Sequence, residues 1–163
     1  MEIDEFGNKV WKVDGQLHRL DGPAIIRPDG SEAWWVDGLR HCIDGPAIIW
    51  ADDSKAWWVD GECHRLDGHA YIRADGYQAW YQNGELHRLD GPAAIWPNGS
   101  EAWWKNDKKH RIDGPAYIGS DGHKEWWKNG KQIDIIEWME QMSINTDWRE
   151  WTDHEKCLFR LSF

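Results

Sequence analysis

No stretch of the 163-residue chain approaches the ~20 consecutive apolar residues that a membrane-spanning helix requires. Its opening residues, MEIDEFGNKV, carry no signal-peptide pattern, so a cytoplasmic location is expected. Cysteine is scarce: Cys42, Cys63 and Cys157 are odd in number and scattered, which argues against a disulfide frame and suits reduced thiols. Basic residues are the minority, 19 against 29 acidic, for a net charge of −10. That charge is uneven, at −9 over residues 1–104, +3 over 105–131 and −4 over 132–163. A mostly acidic surface repels phosphate backbones, which counts against duplex nucleic acid and leaves room for a basic protein, including one that itself binds nucleic acid. Aliphatic residues and Phe are sparse, and mean hydropathy is −0.81. Aromatic rings must therefore supply the buried area. A glycine-rich phosphate loop, a Ser-His-Asp order and a dinucleotide fingerprint are all missing.

What is abundant is tryptophan, with fifteen copies, and it is periodic. Asp-Gly-Pro-Ala begins at Asp21, Asp44, Asp90 and Asp113, with Asp-Gly-His-Ala at Asp67 in register, each step being 23 residues. The same step separates the pairs Trp34/Trp35, Trp57/Trp58, Trp80/Tyr81, Trp103/Trp104 and Trp126/Trp127, and also His18, His41, His64, His87 and His110. A short fixed period marks an array in which each unit packs only on its neighbours. Asp-Gly or Asn-Gly recurs at Asp14, Asp29, Asp37, Asp60, Asp75, Asn83, Asn98, Asp121 and Asn129. Such dipeptides accept the positive φ of type I′ turns, and the runs between them, such as SEAWWV and AIIRP, are long enough for strands of ~5–6 residues. The sequence predicts a mainly β, elongated antiparallel hairpin repeat over 1–131, with Asp-Gly-Pro-Ala as a further corner of each unit.

Alternation assigns the faces. Ala33, Ala56, Ala79 and Ala102, with Trp35, Trp58, Tyr81, Trp104 and Trp127, read as the core side. The opposite side is polar except for one file: Trp34, Trp57, Trp80, Trp103 and Trp126. In the next strand a variable side carries Tyr71 and Tyr117, and beyond them Arg27, Trp50, Arg73 and Trp96. The file, with Trp50, Tyr71, Arg73, Trp96 and Tyr117, makes up the candidate partner-binding residues, since Trp, Tyr and Arg dominate interface hot spots. The other reading is that Trp–Trp stacking between units and Arg side chains laid over the rings occupy the file.

The period stops after Lys131. Ile135, Ile136, Met139 and Met142 follow helical spacing, with Trp138 and Met142 at i, i+4. Asn145-Thr146-Asp147 offers caps for a second short helix bearing Trp148 and Trp151. Cys157, Phe159, Leu161 and Phe163 alternate as a strand would. Residues 132–163 thus read as a cap of helices and a final strand, in the same domain as the array.

The units from Gly7 to Lys131 resemble MORN (membrane occupation and recognition nexus) repeats. Those share the 23-residue period and an aromatic-x-x-Gly-x-x-His core, seen here as Trp35-Gly38-His41. At Trp104 and His110 the glycine position is Asp107. The family's glycine after the histidine is Arg or Cys here, and Asp-Gly-Pro-Ala is not its usual ending. The chain looks like a variant, W-W-x-N/D-G-x-x-H-R-x-D-G-P-A, associated with bacterial, phage and giant-virus proteins. The resemblance implies an assembly or interaction module. Some family members are proposed to touch lipids, and some bacterial ones are described as antitoxins. It implies no catalytic set.

Sites of chemistry were sought against that background. His18, Arg19 and Asp21 hold an acid, a base and a cation, but five copies of the motif read as architecture rather than catalysis. Cys42 beside His41 lacks an orienting third group. Cys63, His64 and His69 match no zinc spacing. No cofactor, metal or enzymatic activity is expected. The expected function is non-enzymatic: binding of a protein partner through the aromatic face, with an anti-defence or antitoxin-like inhibitor of phage or bacterial origin as its concrete form. Two other classes are a nucleotide-sequestering protein and a lipid-surface module using the basic 105–131 segment. Open sheet edges also admit a homodimer.

Overall fold

The structure, a computed structural model, describes residues 1–142 and 147–162, apart from the side chains of Glu137, Gln141, Met142 and Ser162. Its chain divides into two compact units, Met1–Glu85 and Leu86–Phe163. The described residues form twenty-three short strands in antiparallel hairpins, with two α-helices near the C-terminus. The mainly β hairpin class is therefore observed.

The strands are shorter than alternation predicts, and for a clear reason. Glu32–Ala33 pairs on one side with Ile25–Ile26 and on the other with Ile48–Ile49. At Trp34, whose N–H donates to the Ala47 carbonyl at 2.8 Å, the chain changes partners. Trp35–Val36 then pairs only with Leu39–Arg40, across a tight turn. The run SEAWWV is thus divided at its first tryptophan between a many-stranded sheet and a two-stranded ribbon. The next copy repeats this, with Lys55–Ala56 in the sheet and Trp58–Val59 in a ribbon with Glu62–Cys63. In the second unit Trp104–Lys105 makes the ribbon with Lys108–Lys109. The last copy, Lys124–Lys128, runs unbroken for five residues.

The turns fall into two classes. Asp14, Asp37, Asp60, Asn83 and Asn129 have φ near +50°, and the following glycine is also positive, as type I′ requires. These are the ribbon turns. At Asp29, Asp75, Asn98 and Asp121 only the glycine is left-handed, which corrects the type I′ reading there. The Asp or Asn side chain accepts the amide hydrogen two residues on, for example Ser31 N–H to Asp29 at 2.8 Å, and this Asx turn fixes the corner.

The same kinds of bond recur between one repeat and the next. His18 Nδ1 accepts the Asp37 N–H at 3.2 Å and lies 2.8 Å from the Asp37 carboxylate. His41 meets Asp60 and His64 meets Asn83 in the same way, while His87 meets Asn106 through the side chains alone. His110 accepts the Asn129 N–H at 3.1 Å. Burial, with Lys105 nearby, lowers the pKa of His110 and favours the neutral ring that this bond needs. Buried Ser31, Ser54 and Ser100 accept the amide hydrogens of Ala51, Ala74 and Ser120. Ala24, Ala47, Ala70, Ala93 and Ala116 are fully buried. A larger residue there would have to displace close-packed neighbours.

From the end of the last strand onward, Ile133, Ile135, Trp138, Met139, Trp151 and Phe159 form a separate buried cluster, against which Trp126 and Trp148 pack. Helix α1 spans Ile135–Met142. Asp147 caps a 3₁₀ turn, Trp148–Glu150, in place of the second helix expected around Trp148 and Trp151. Asn145, Thr146, Phe163 and the side-chain pairing with Met142 lie outside the described residues. The final strand read from Cys157, Phe159 and Leu161 is instead helix α2, Asp153–Ser162. Thr152 and Glu155 form a reciprocal capping box at its start, with Thr152 N–H to Glu155 at 2.6 Å and Glu155 N–H to Thr152 Oγ1 at 3.2 Å. Of the three alternating residues only Phe159 is buried, while Cys157 is exposed and Leu161 is 78 % exposed.

The serine joints are testable. Ser54→Ala removes the acceptor of the Ala74 amide and should destabilise the protein by about 1 kcal/mol, read from the urea midpoint. An unchanged midpoint would show that the hydroxyl is no joint.

Candidate functional site

Four of the five corners, those at Asp21, Asp67, Asp90 and Asp113, carry a guanidinium clamp. Arg19 Nε donates to Asp21 at 2.8 Å, and its Nη1 donates to the Pro23 carbonyl at 3.2 Å. Arg65, Arg88 and Arg111 repeat both bonds, to Asp67 and the His69 carbonyl, to Asp90 and the Pro92 carbonyl, and to Asp113 and the Pro115 carbonyl. Three of them lie flat over tryptophans of one register. Arg19 lies 4.1 Å from the Trp11 ring centre, Arg65 4.3 Å from Trp57 and Arg111 3.9 Å from Trp103. Such stacks contribute about 0.5–2 kcal/mol, more as water is excluded. The bond from its arginine holds each of Asp21, Asp67 and Asp90 below the usual carboxylate range.

The candidate residues therefore divide. In the file, Trp57 and Trp103 have a ring face under arginine, and Trp80 lies 3.5 Å from the His69 ring. Trp126 packs against the C-terminal cluster. Trp34 has no cation over it among the described residues, because Cys42 stands where the others have arginine. On the variable side Trp50 and Tyr71 meet edge to face at 5.8 Å, as do Trp96 and Tyr117 at 6.2 Å. Arg73 pairs with Asp75. In the first unit Trp50, Trp58, Tyr71, Tyr81, Cys63 and Arg40 line a groove of about 490 Å³. The Arg40 guanidinium sits 5.1 Å from Trp35 and 5.0 Å from Trp58, and its buried Nε has no acceptor.

Face assignment missed a second row. Leu20, Ile43 and Leu66, one per corner of the first unit, are 79, 78 and 72 % exposed. In the second unit Leu89 is as open, at 75 %, but Ile112 is only 39 % exposed. The signal was present in the sequence: the residue before every corner aspartate is Leu or Ile between polar neighbours. Reading the corner motif for its charged members hid it.

Beside that last corner stands the chain's own cap. A Cβ placed on Gly114 would come within 3.0 Å of the Trp148 ring, and the Arg111 guanidinium is 5.8 Å from that ring. Arg160 of α2 lines the adjoining cleft of about 600 Å³ together with Arg88, Asp90, Trp103 and Arg111.

Other chemistry is undeveloped. Burial pushes the Cys63 thiol up to about 12, and its Sγ donates to the Ala70 carbonyl at 3.6 Å. Among the described residues no three His, Cys, Asp or Glu side chains are grouped to hold a metal ion, and no helix is long and apolar enough to cross a membrane. No protein-family model matches the chain, and no curated protein matches it.

The clamps imply a pH dependence. A carboxylate with a lowered folded pKa contributes stability that is complete above its unfolded value of about 4 and is lost as pH falls through the folded one. The urea midpoint should fall a little between pH 7 and 5, where the unfolded chain protonates the His110 that the fold keeps neutral, and drop further below pH 4 as the clamps are lost. In a variant with Asp21, Asp67 and Asp90 all changed to Asn, that acid drop should be smaller.

Proposed function

We propose that this chain is a non-enzymatic, MORN-type interaction protein that binds another protein, in the manner of an anti-defence or antitoxin-like inhibitor. The observation that carries the reading is the row Leu20, Ile43 and Leu66, three aliphatic side chains more than 70 % exposed at one repeated position. Two of them, Leu20 and Ile43, line one cleft, and water-facing aliphatics grouped in this way mark interaction surfaces. The first unit has eight basic against sixteen acidic side chains, net −8, which favours a basic partner. The cap supports the reading from within, because the chain itself seats an indole and an arginine beside its last corner.

The test is capture from a lysate of the source cells with wild type and with Leu20→Asp/Ile43→Asp/Leu66→Asp. Because all three side chains are exposed, the variant should keep its unfolding midpoint within about 0.5 kcal/mol per site. It should lose the captured protein, and capture by the wild type should weaken as salt rises. An identical captured set would overturn the reading.

A second reading rests on the aromatic groove, where Arg40 offers an unpaired N–H beside Trp58. A nucleoside phosphate stacked there should raise the melting temperature, by about 2.7 kcal/mol of added stability at a hundred times Kd. Arg40→Leu, which places at this register the residue found at Leu17 and Leu86, should abolish the gain. A nucleotide panel that leaves the melting temperature unmoved removes this reading.

A further inference from the structure

We infer that the second corner of the first unit is a receptor for an arginine side chain supplied by another protein. In four corners the guanidinium has the same three neighbours besides its ring: an aspartate, a carbonyl and a glycine. A Cβ built on Gly22, Gly68, Gly91 or Gly114 would stand 2.8–3.2 Å from the Cζ of Arg19, Arg65, Arg88 or Arg111. At the second corner Cys42 replaces the arginine, and everything the arginine would touch is retained. Trp34 stands at the position of Trp11, Trp57 and Trp103, and no cation or ring lies over it. The Asp44 carboxylate has no ion pair or hydrogen bond among the described residues, and the Pro46 carbonyl receives no donor. A Cβ on Gly45 would meet no atom within 4 Å.

These groups are not merely homologous in register, because they share a cavity. Trp34, Cys42 and Asp44 line one cleft of about 600 Å³ with Arg19, Asp21 and His41. Arg19 is neutralised by Asp21, so the uncompensated charge facing the cleft is the carboxylate of Asp44. A planar cation that stacks on an indole, donates edgewise to a carboxylate and also reaches a carbonyl is a guanidinium. An ammonium would satisfy the charge but not the flat stack. The cleft at the fifth corner stands three repeats on, and there Arg160 of the chain's own α2 lines the wall. An arginine on a helix is therefore already one visitor to this type of cleft.

The source of the arginine rests on the protein-binding reading, while the site does not. Its test is an NMR titration with N-acetyl-arginine amide, following the Trp34 indole N–H, which is assigned by its loss in Trp34→Phe. The Trp34 signal should shift and saturate on the order of 1–10 mM, as one stack and one charged bond allow. N-acetyl-lysine amide should bind at least tenfold more weakly, and the isosteric citrulline amide should leave the signal unmoved. Cys42→Arg rebuilds the clamp of the other corners, so it should raise the urea midpoint and abolish the titration. Asp44→Asn should weaken binding several-fold. A Trp34 signal that does not move, that moves equally with citrulline, or that still titrates in Cys42→Arg overturns the inference. A null titration with partner capture intact sinks the arginine site alone. A normal titration with nothing captured sinks the protein-binding reading alone.

Discussion

The guanidinium laid over the corner and locked by the aspartate two residues along is the interaction that completes four of the five corners. A three-residue bend at Asp-Gly-Pro has little secondary structure to hold it. Proline fixes one φ, and the arginine ties the loop together by bonding the Asp21 carboxylate and the Pro23 carbonyl at once. The same arginine covers a ring that would otherwise face water. One side chain thus closes the loop and completes an aromatic surface, which lets a chain poor in aliphatics fold at all.

Bonds between repeats then carry this local order onward. A histidine nitrogen, a serine hydroxyl and a ribbon carbonyl each reach one step along, as in His41 to Asp60, Ser31 to Ala51 and Arg40 to Gly61. Each bond contributes about 1 kcal/mol, so stability in such an array is a sum of modest, identical joints. Their identity is why the period in the sequence is strict. At the turn where Tyr77 takes the serine's place, the residue twenty positions on is Pro97, which has no amide hydrogen to donate.

Periodicity made the hairpins, the ribbon turns and the buried alanines legible, because each needs a particular residue at a particular backbone angle or volume. Three features were hidden. The break at Trp34 depends on which neighbour each half of the strand pairs with, and alternation within a strand carries no such information. Helix α2 was read as a strand because Cys157, Phe159 and Leu161 alternate, although the Thr152-x-x-Glu155 box beside them was the stronger local signal. Which rings of the file arginine covers could not be read from face assignment, since the arginine over Trp57 and over Trp103 comes from a corner, not from the strand.

That last point changes where a binding surface is to be sought. An aromatic file on a polar face looks like a ready interface until its rings prove to be occupied from within. Occupancy shifts attention to what the arginines leave uncovered. One such feature is the aliphatic row, which no fold requirement explains, since Leu20, Ile43 and Leu66 bury little against their own repeats. The other is Trp34, where a single substitution within a near-perfect repeat removes the cover and keeps its fittings. A repeat array has many equivalent places, so a lone departure from the pattern is more informative than the pattern itself. Cys42 is such a departure, and its Leu20 and Ile43 neighbours put the row and the open ring in the same cleft.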